Sequence, residues 1–160
     1  MDASLHRLYG AQSHHIDGGR ARAWAATFTP DGEFRSPTYS RPVTGTAELT
    51  AFAERFFADA RARGVTVRHV LTNVFAERAD ERTALVHAYL QIVSTPDGGE
   101  PRLDRMTVVT DDLVRDGGGW LIRRRVVHRD GAHDGPDRAP NDEPNDEPND
   151  RPNDEKEQQR

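Results

Sequence analysis

The stretch VRHVLTNVF, Val67–Phe75, is β-branched and apolar enough to be a strand, yet it carries a titratable ring and an amide. At period two, His69, Leu71, Asn73 and Phe75 share one face, and Arg68, Val70, Thr72 and Val74 share the other. A half-buried strand holds a histidine and an asparagine beside leucine and phenylalanine for one of two reasons. Either these polar groups satisfy each other and nearby backbone, or they line a pocket.

Reading downstream, Arg82–Thr95, Arg102–Asp116 and Trp120 to about Arg129 continue as strands. Turn signals at Ala79-Asp80-Glu81, Pro96-Asp97-Gly98-Gly99 and Gly117-Gly118-Gly119 join them as sequential antiparallel neighbours. The upstream part is helical. Leu5, Leu8, Tyr9, Gln12 and Ile16 fall on one face of a helix over Ala3–Ile16. A short second helix from about Gly19 to Thr27 centres on Trp24, and Pro30-Asp31-Gly32 then turns the chain into a strand around Phe34. After the Pro37 to Gly45 loop, Leu49, Phe52, Phe56 and Phe57 mark a third helix ending at Gly64. Helices followed by a meander predict an α+β domain, a cone-shaped curved antiparallel sheet wrapped around three N-terminal helices and open at one end to a ligand.

The 160 residues allow one such domain, expected over 1–130. Charge separates it from the C-terminal segment, since residues 131–160 hold 10 Asp+Glu against 4 Lys+Arg, whereas residues 1–130 hold 17 against 18. Pro140, Pro144, Pro148 and Pro152 open four copies of a Pro-Asn-Asp-acid/Arg tetrad, and no apolar side chain is available to dock the segment. A disordered acidic tail is expected over 131–160. Deleting it should move the unfolding temperature by no more than about two degrees in a thermal-denaturation comparison. A larger loss would mean that the tail docks.

A nearly neutral folded part argues against nucleic acid as a partner, and Arg123, Arg124 and Arg125 alternate faces if they lie on a strand. No run approaches the roughly 18 apolar residues of a membrane span, so a soluble cytoplasmic protein without membrane contact is expected. The chain has no cysteine, which removes disulfides, a thiolate nucleophile and sulfur-ligated metals. His14 and His15 are adjacent on a helix and cannot chelate from one face, so no metal site and no cofactor are expected.

The segments HHIDGGRARAWAATFTPDGEF, VTGTAELTAF, VRHVLTN and DDLVRDGGGWLIRRRVV, taken in order and spacing, resemble the SnoaL-like branch of the nuclear transport factor 2-like superfamily over about residues 5–130. That resemblance implies a ligand cavity inside the cone. It also implies one of several activities: polyketide cyclase, dehydratase, steroid isomerase, epoxide-opening enzyme or non-catalytic binding module. His69 and Asn73 match the family's Arg-His-x-x-x-Asn strand, and Asp17 matches the aspartate that works with the histidine in similar dehydratases. Gln12 stands where those enzymes often have tyrosine, and an amide holds a substrate oxygen without transferring a proton. Asp111 resembles an acidic residue placed before the final hairpin, which serves as the base in similar ring cyclases.

Imidazole changes protonation near neutral pH, which is what removal of a proton beside a carbonyl requires, and a carboxylate can hold its tautomer. The expected catalytic pair is therefore His69 and Asp17, unless His69 is a core histidine bonded to Asn73 or backbone and Asp17 a helix N-cap. Asn73, Gln12, Tyr39, Tyr89, His87 and Asp111 are the expected substrate contacts. His87 and Tyr89 would serve an interface instead if their strand face points outward. The apolar opposite face, Ala84, Val86, Ala88, Leu90 and Ile92, is expected to need a second subunit, hence a homodimer through the sheet. The expected function is acid–base chemistry on a small, apolar, oxygenated natural-product intermediate. The alternative is a binding or interaction module, which a cavity plugged by Phe34, Phe56 or Trp120 would favour.

Overall fold

The computed structural model describes residues 3–131. In chain order it runs α1 (Ala3–Asp17), α2 (Ala21–Ala25), β1 (Phe28–Arg35), β2 (Val43–Thr44), α3 (Gly45–Ala62), β3 (Val65–Ala79), β4 (Thr83–Pro96), β5 (Arg102–Asp116) and β6 (Gly119–Arg129). The expected tail begins at the last described residue, Gly131, and its tetrads lie outside the described residues.

Six strands form one curved sheet in the order β2-β1-β6-β5-β4-β3. The β3–β4–β5–β6 meander is antiparallel throughout, as the turn signals require, while β1 lies parallel to β6. Pro30-Asp31-Gly32 does not precede β1 as a turn. It lies inside the strand, where the register with β6 shifts between Phe28 and Glu33. A proline without an N–H and a glycine are both accommodated at such a bulge, and a Cβ on Gly32 would come within 2.8 Å of the Phe28 Cβ. Further register shifts occur in the β3–β4, β4–β5 and β5–β6 pairings. Each bends the sheet and so helps it wrap around the helices.

The stripe on α1 buries Leu5, Leu8, Tyr9, Gln12 and Ile16. With Trp24, Phe28, Leu49 and Phe52 it packs on Ala84, Val86, Leu113, Trp120 and Ile122, which fills one end of the curved sheet. Trp24 is the hub of this layer, with ring centroids 5.0 Å from Phe28 and 5.7 Å from Phe52. The apolar face of β4 turns towards the helices and is covered within the chain, which removes this face as the ground for expecting a second subunit. Towards the far ends of β4, β5 and β6 this filling gives way to a cavity.

Candidate active site

The cavity has a volume of about 80 Å³, several times the roughly 10–15 Å³ that one water needs. Trp24, Phe34, Phe52, Phe56, Leu71, Leu90, Ile92 and Val127 give it apolar walls. Gln12, His69, Thr107 and Arg125 supply polar points inside, and Thr38, Tyr39, Arg105 and Arg129 are also among the lining residues. Phe34 and Phe56 are walls of the cavity, and Trp120 belongs to the core at the other end.

His69 is held from behind. Its Nδ1 lies 2.6 Å from the Asp17 Oδ1, and its backbone N–H donates to the same carboxylate at 3.0 and 3.2 Å. A carboxylate that already accepts the amide N–H also accepts from the ring, so in the neutral imidazole this geometry places the proton on Nδ1 and the lone pair on Nε2. Nε2 has no hydrogen-bond partner among the described residues. One face of the ring is covered by Phe56, with centroids 5.1 Å apart.

Asp17 reaches β3 because α1 stops at this residue. The Gly19 N–H donates to the Ile16 carbonyl at 3.3 Å and the Arg20 N–H to the His15 carbonyl at 2.9 Å, which is the Schellman pattern of a helix end. Gly19 has φ +68°, and a Cβ there would lie 2.7 Å from the Phe57 ring, so position 19 takes only glycine without strain. Asp17 is not an N-cap for α2, whose N-cap residue, Arg20, makes no side-chain cap bond. Nor does Asp17 line the cavity. It positions His69.

Beside this pair runs a second buried chain. Arg125 donates from Nε and Nη2 to Asp111 at 2.8 and 2.7 Å and from Nη1 to the Gln12 Oε1 at 2.9 Å. Tyr9 donates its hydroxyl to Asp111 at 2.7 Å, and the Gln12 amide nitrogen donates to Thr27, whose hydroxyl donates to the Trp24 carbonyl. Burial disfavours the Arg125 charge, but the adjoining Asp111 carboxylate outweighs that effect and holds the guanidinium firmly protonated. Burial, reinforced by the Asp111 charge, pushes the Tyr9 phenol well above its ordinary value, so Tyr9 remains a donor. Every group in the chain has a partner, which is what a buried ionic network needs to be tolerated.

Of the expected contacts, the structure brings His69, Gln12 and Tyr39 to the cavity. Tyr39 packs edge-on against Phe52 at 5.3 Å, and burial raises its phenol above the ordinary value against the opposing charges of Arg105 and Arg55. Four others do not reach it. Asn73 has φ +52°, the left-handed conformation that asparagine tolerates better than most residues, and the β3–β4 register shifts there. The alternation consequently changes phase after Thr72, which leaves Asn73 exposed and carries Phe75 to the outer face. Tyr89 is exposed on the outer face of β4. His87 lies on that face too, bonded to Glu77 at 2.7 Å and Thr110 at 3.2 Å. Asp111 is fully buried behind Arg125 and does not line the cavity.

Arg125 is the site residue that sequence reasoning missed. Trp120 and Ile122 point inward, so strict alternation would put Arg124 inside and Arg125 outside. Ile122 pairs with Leu113 and Arg124 with Asp112, which leaves Arg123 as an extra residue and turns Arg125 inward. The available signal was chemical: three arginines opposite Asp111 on the partner strand.

Residues 2–126 match the SnoaL-like domain family. Among solved structures, ActVI-ORFA from Streptomyces coelicolor is 32% identical with a TM-score of 0.72, over 81% of this chain and 97% of that one. Aln2 from another Streptomyces species is 31% identical with a TM-score of 0.71, over 79% and 89%. A Catenulispora acidiphila protein in complex with S-DNPA is 27% identical with a TM-score of 0.69, over 80% and 92%. No curated protein matches the sequence. With its helices inside a curved six-stranded sheet, the chain has the nuclear transport factor 2-like fold and belongs to the SnoaL-like family, whose members include polyketide cyclases and dehydratases.

Proposed function

We propose that this chain is a cofactor-independent acid–base enzyme acting on a small, largely apolar, oxygenated molecule of the kind made in natural-product pathways. The observation that carries the reading is His69, tied through Nδ1 to Asp17 and free at Nε2 beside an apolar-walled cavity. His69 Nε2 takes a proton from a carbon next to a carbonyl, and the electron pair moves onto the carbonyl oxygen. Asp17 stabilises the imidazolium that forms. Arg125, a fixed cation lining the same cavity, stabilises the developing oxyanion. Gln12 holds the guanidinium in line.

The proton on His69 then has three destinations. It can leave with a hydroxyl as water, return to a different carbon, or go to the alkoxide formed when the enolate carbon attacks a second carbonyl. These are dehydration, isomerisation and aldol cyclisation.

Native mass spectrometry of the protein with S-DNPA and with extracts containing oxygenated aromatic intermediates tests the proposal. A captured compound that is released chemically changed supports the enzyme. Gln12, whose amide cannot transfer a proton, favours a binding module instead. Release of every captured compound unchanged would establish that second reading.

A homodimer through the sheet belongs to the same proposal, supported by a different surface from the one expected. Val70, Phe75 and Tyr89 stand exposed on the outer face of β3 and β4, and the Phe75 ring stacks on His87 at 6.4 Å. Light scattering at tens of micromolar should give twice the chain mass, since an interface of standard size holds at that concentration. A monomer there would sink the claim.

A further inference from the structure

The inner face of the sheet does not become neutral at the mouth of the cavity. Arg105 follows Thr107 outward along β5, and Arg129 follows Arg125 and Val127 outward along β6, all five lining the cavity. The two rim guanidiniums converge on one atom. The Arg105 Nη1 donates to the Thr38 Oγ1 at 3.4 Å, and the Arg129 Nη2 donates to the same oxygen at 3.2 Å. A neutral hydroxyl in the 36–42 loop thus serves two cations at once.

Neither arginine forms an ion pair among the described residues. Asp104 and Asp130 share a neighbouring surface depression with both but stay beyond ion-pair distance. By contrast, Arg123, Arg124 and Arg125 on the same strand all have carboxylate partners. Two like charges on one neutral acceptor repel each other, and tethering a loop needs only one donor. An oxyanion in the place of the Thr38 hydroxyl would relieve the repulsion and accept a charge-assisted bond from each guanidinium.

We infer that Arg105 and Arg129 form an anion subsite at the cavity mouth, and that the pocket's substrate carries a carboxylate seated there. The inference rests on the pocket reading above and narrows its substrate class. A carboxylate fits better than a phosphate because it attaches as a single planar group to an apolar body, which the aromatic and aliphatic walls behind the arginines can take. Anchored at the rim, such a molecule extends its apolar body inward along the walls that include His69 and Arg125.

The test compares 1-naphthylacetate with its methyl ester by NMR titration at low ionic strength, for the wild type and for an Arg105→Gln/Arg129→Gln double variant. Both arginines are exposed, so the fold should be retained, and the unfolding temperature checks this. The wild type should bind the acid at least about tenfold more tightly than the ester, the double variant should lose that preference, and ester affinity should be the same in both. Thr38→Val, which removes only the shared neutral acceptor, should keep the preference. Equal affinities in the wild type, or a preference that survives in the double variant, would overturn the anion subsite and leave the pocket reading standing. If neither ligand moves the His69 resonances, the pocket reading falls and this inference with it.

Discussion

Replacing His69 with glutamine is expected to lower turnover by about 10²–10⁴ while leaving affinity nearly unchanged, because the substitution keeps a hydrogen-bonding side chain and removes the group that titrates. The effect should be this large because no second base stands ready among the described residues. Asp17 accepts from His69 and does not line the cavity, Asp111 is buried against Arg125, and His87 lies on the outer face. Steady-state kinetics on the compound returned by the capture experiment provide the measurement. Retention of more than about half the wild-type turnover would make His69 a structural group and move the search for a base elsewhere.

Arg125→Met is expected to cost stability as well as activity. It leaves the Asp111 carboxylate fully buried, with the Tyr9 hydroxyl as its remaining side-chain donor. Removing one partner of a buried ion pair costs about 3–5 kcal/mol, which corresponds to a fall of about ten degrees or more in unfolding temperature for a domain of this size. Combining it with Asp111→Leu should recover most of that loss, since a pair replaced on both sides leaves no orphaned charge. Calorimetry of the two variants distinguishes the outcomes. An Arg125→Met protein that unfolds with the wild type would mean that the Asp111 charge is compensated by something other than Arg125.

The architecture could be read in the sequence wherever one period ran without interruption. The α1 stripe from Leu5 to Ile16 is buried as its spacing requires, and the hairpin signals at Ala79–Glu81 and Pro96–Gly99 join antiparallel neighbours. Legibility failed at the bulges. Period two holds only in a strand without extra residues, and a single residue in the wrong phase, at Asn73 or Arg123, sends every later side chain to the other face. For that reason Asn73 was expected inside and Arg125 was not.

His69 precedes the bulge in β3, so its placement did not depend on it. Its contact with Asp17, 52 residues away, was implied by family resemblance and lies beyond what periodicity can show. The β4 faces were separated correctly as polar and apolar, but their direction depends on which side the helices occupy. That is a tertiary fact. Asp111 was found by its position and expected at the substrate, because nothing in the spacing shows that Arg125 turns inward and pairs with it.

The arrangement on which the proposed chemistry depends is the proton on His69 Nδ1 and the lone pair on Nε2 facing the cavity. Long-range ¹H–¹⁵N correlation NMR of the imidazole rings, at a pH where His69 is neutral, reads that arrangement directly and needs no substrate. The expected result is a protonated Nδ1 and an unprotonated Nε2, with the pattern lost in Asp17→Ala. The opposite tautomer, with Nε2 protonated in the wild type, would leave no base beside the cavity and would contradict the acid–base role of His69.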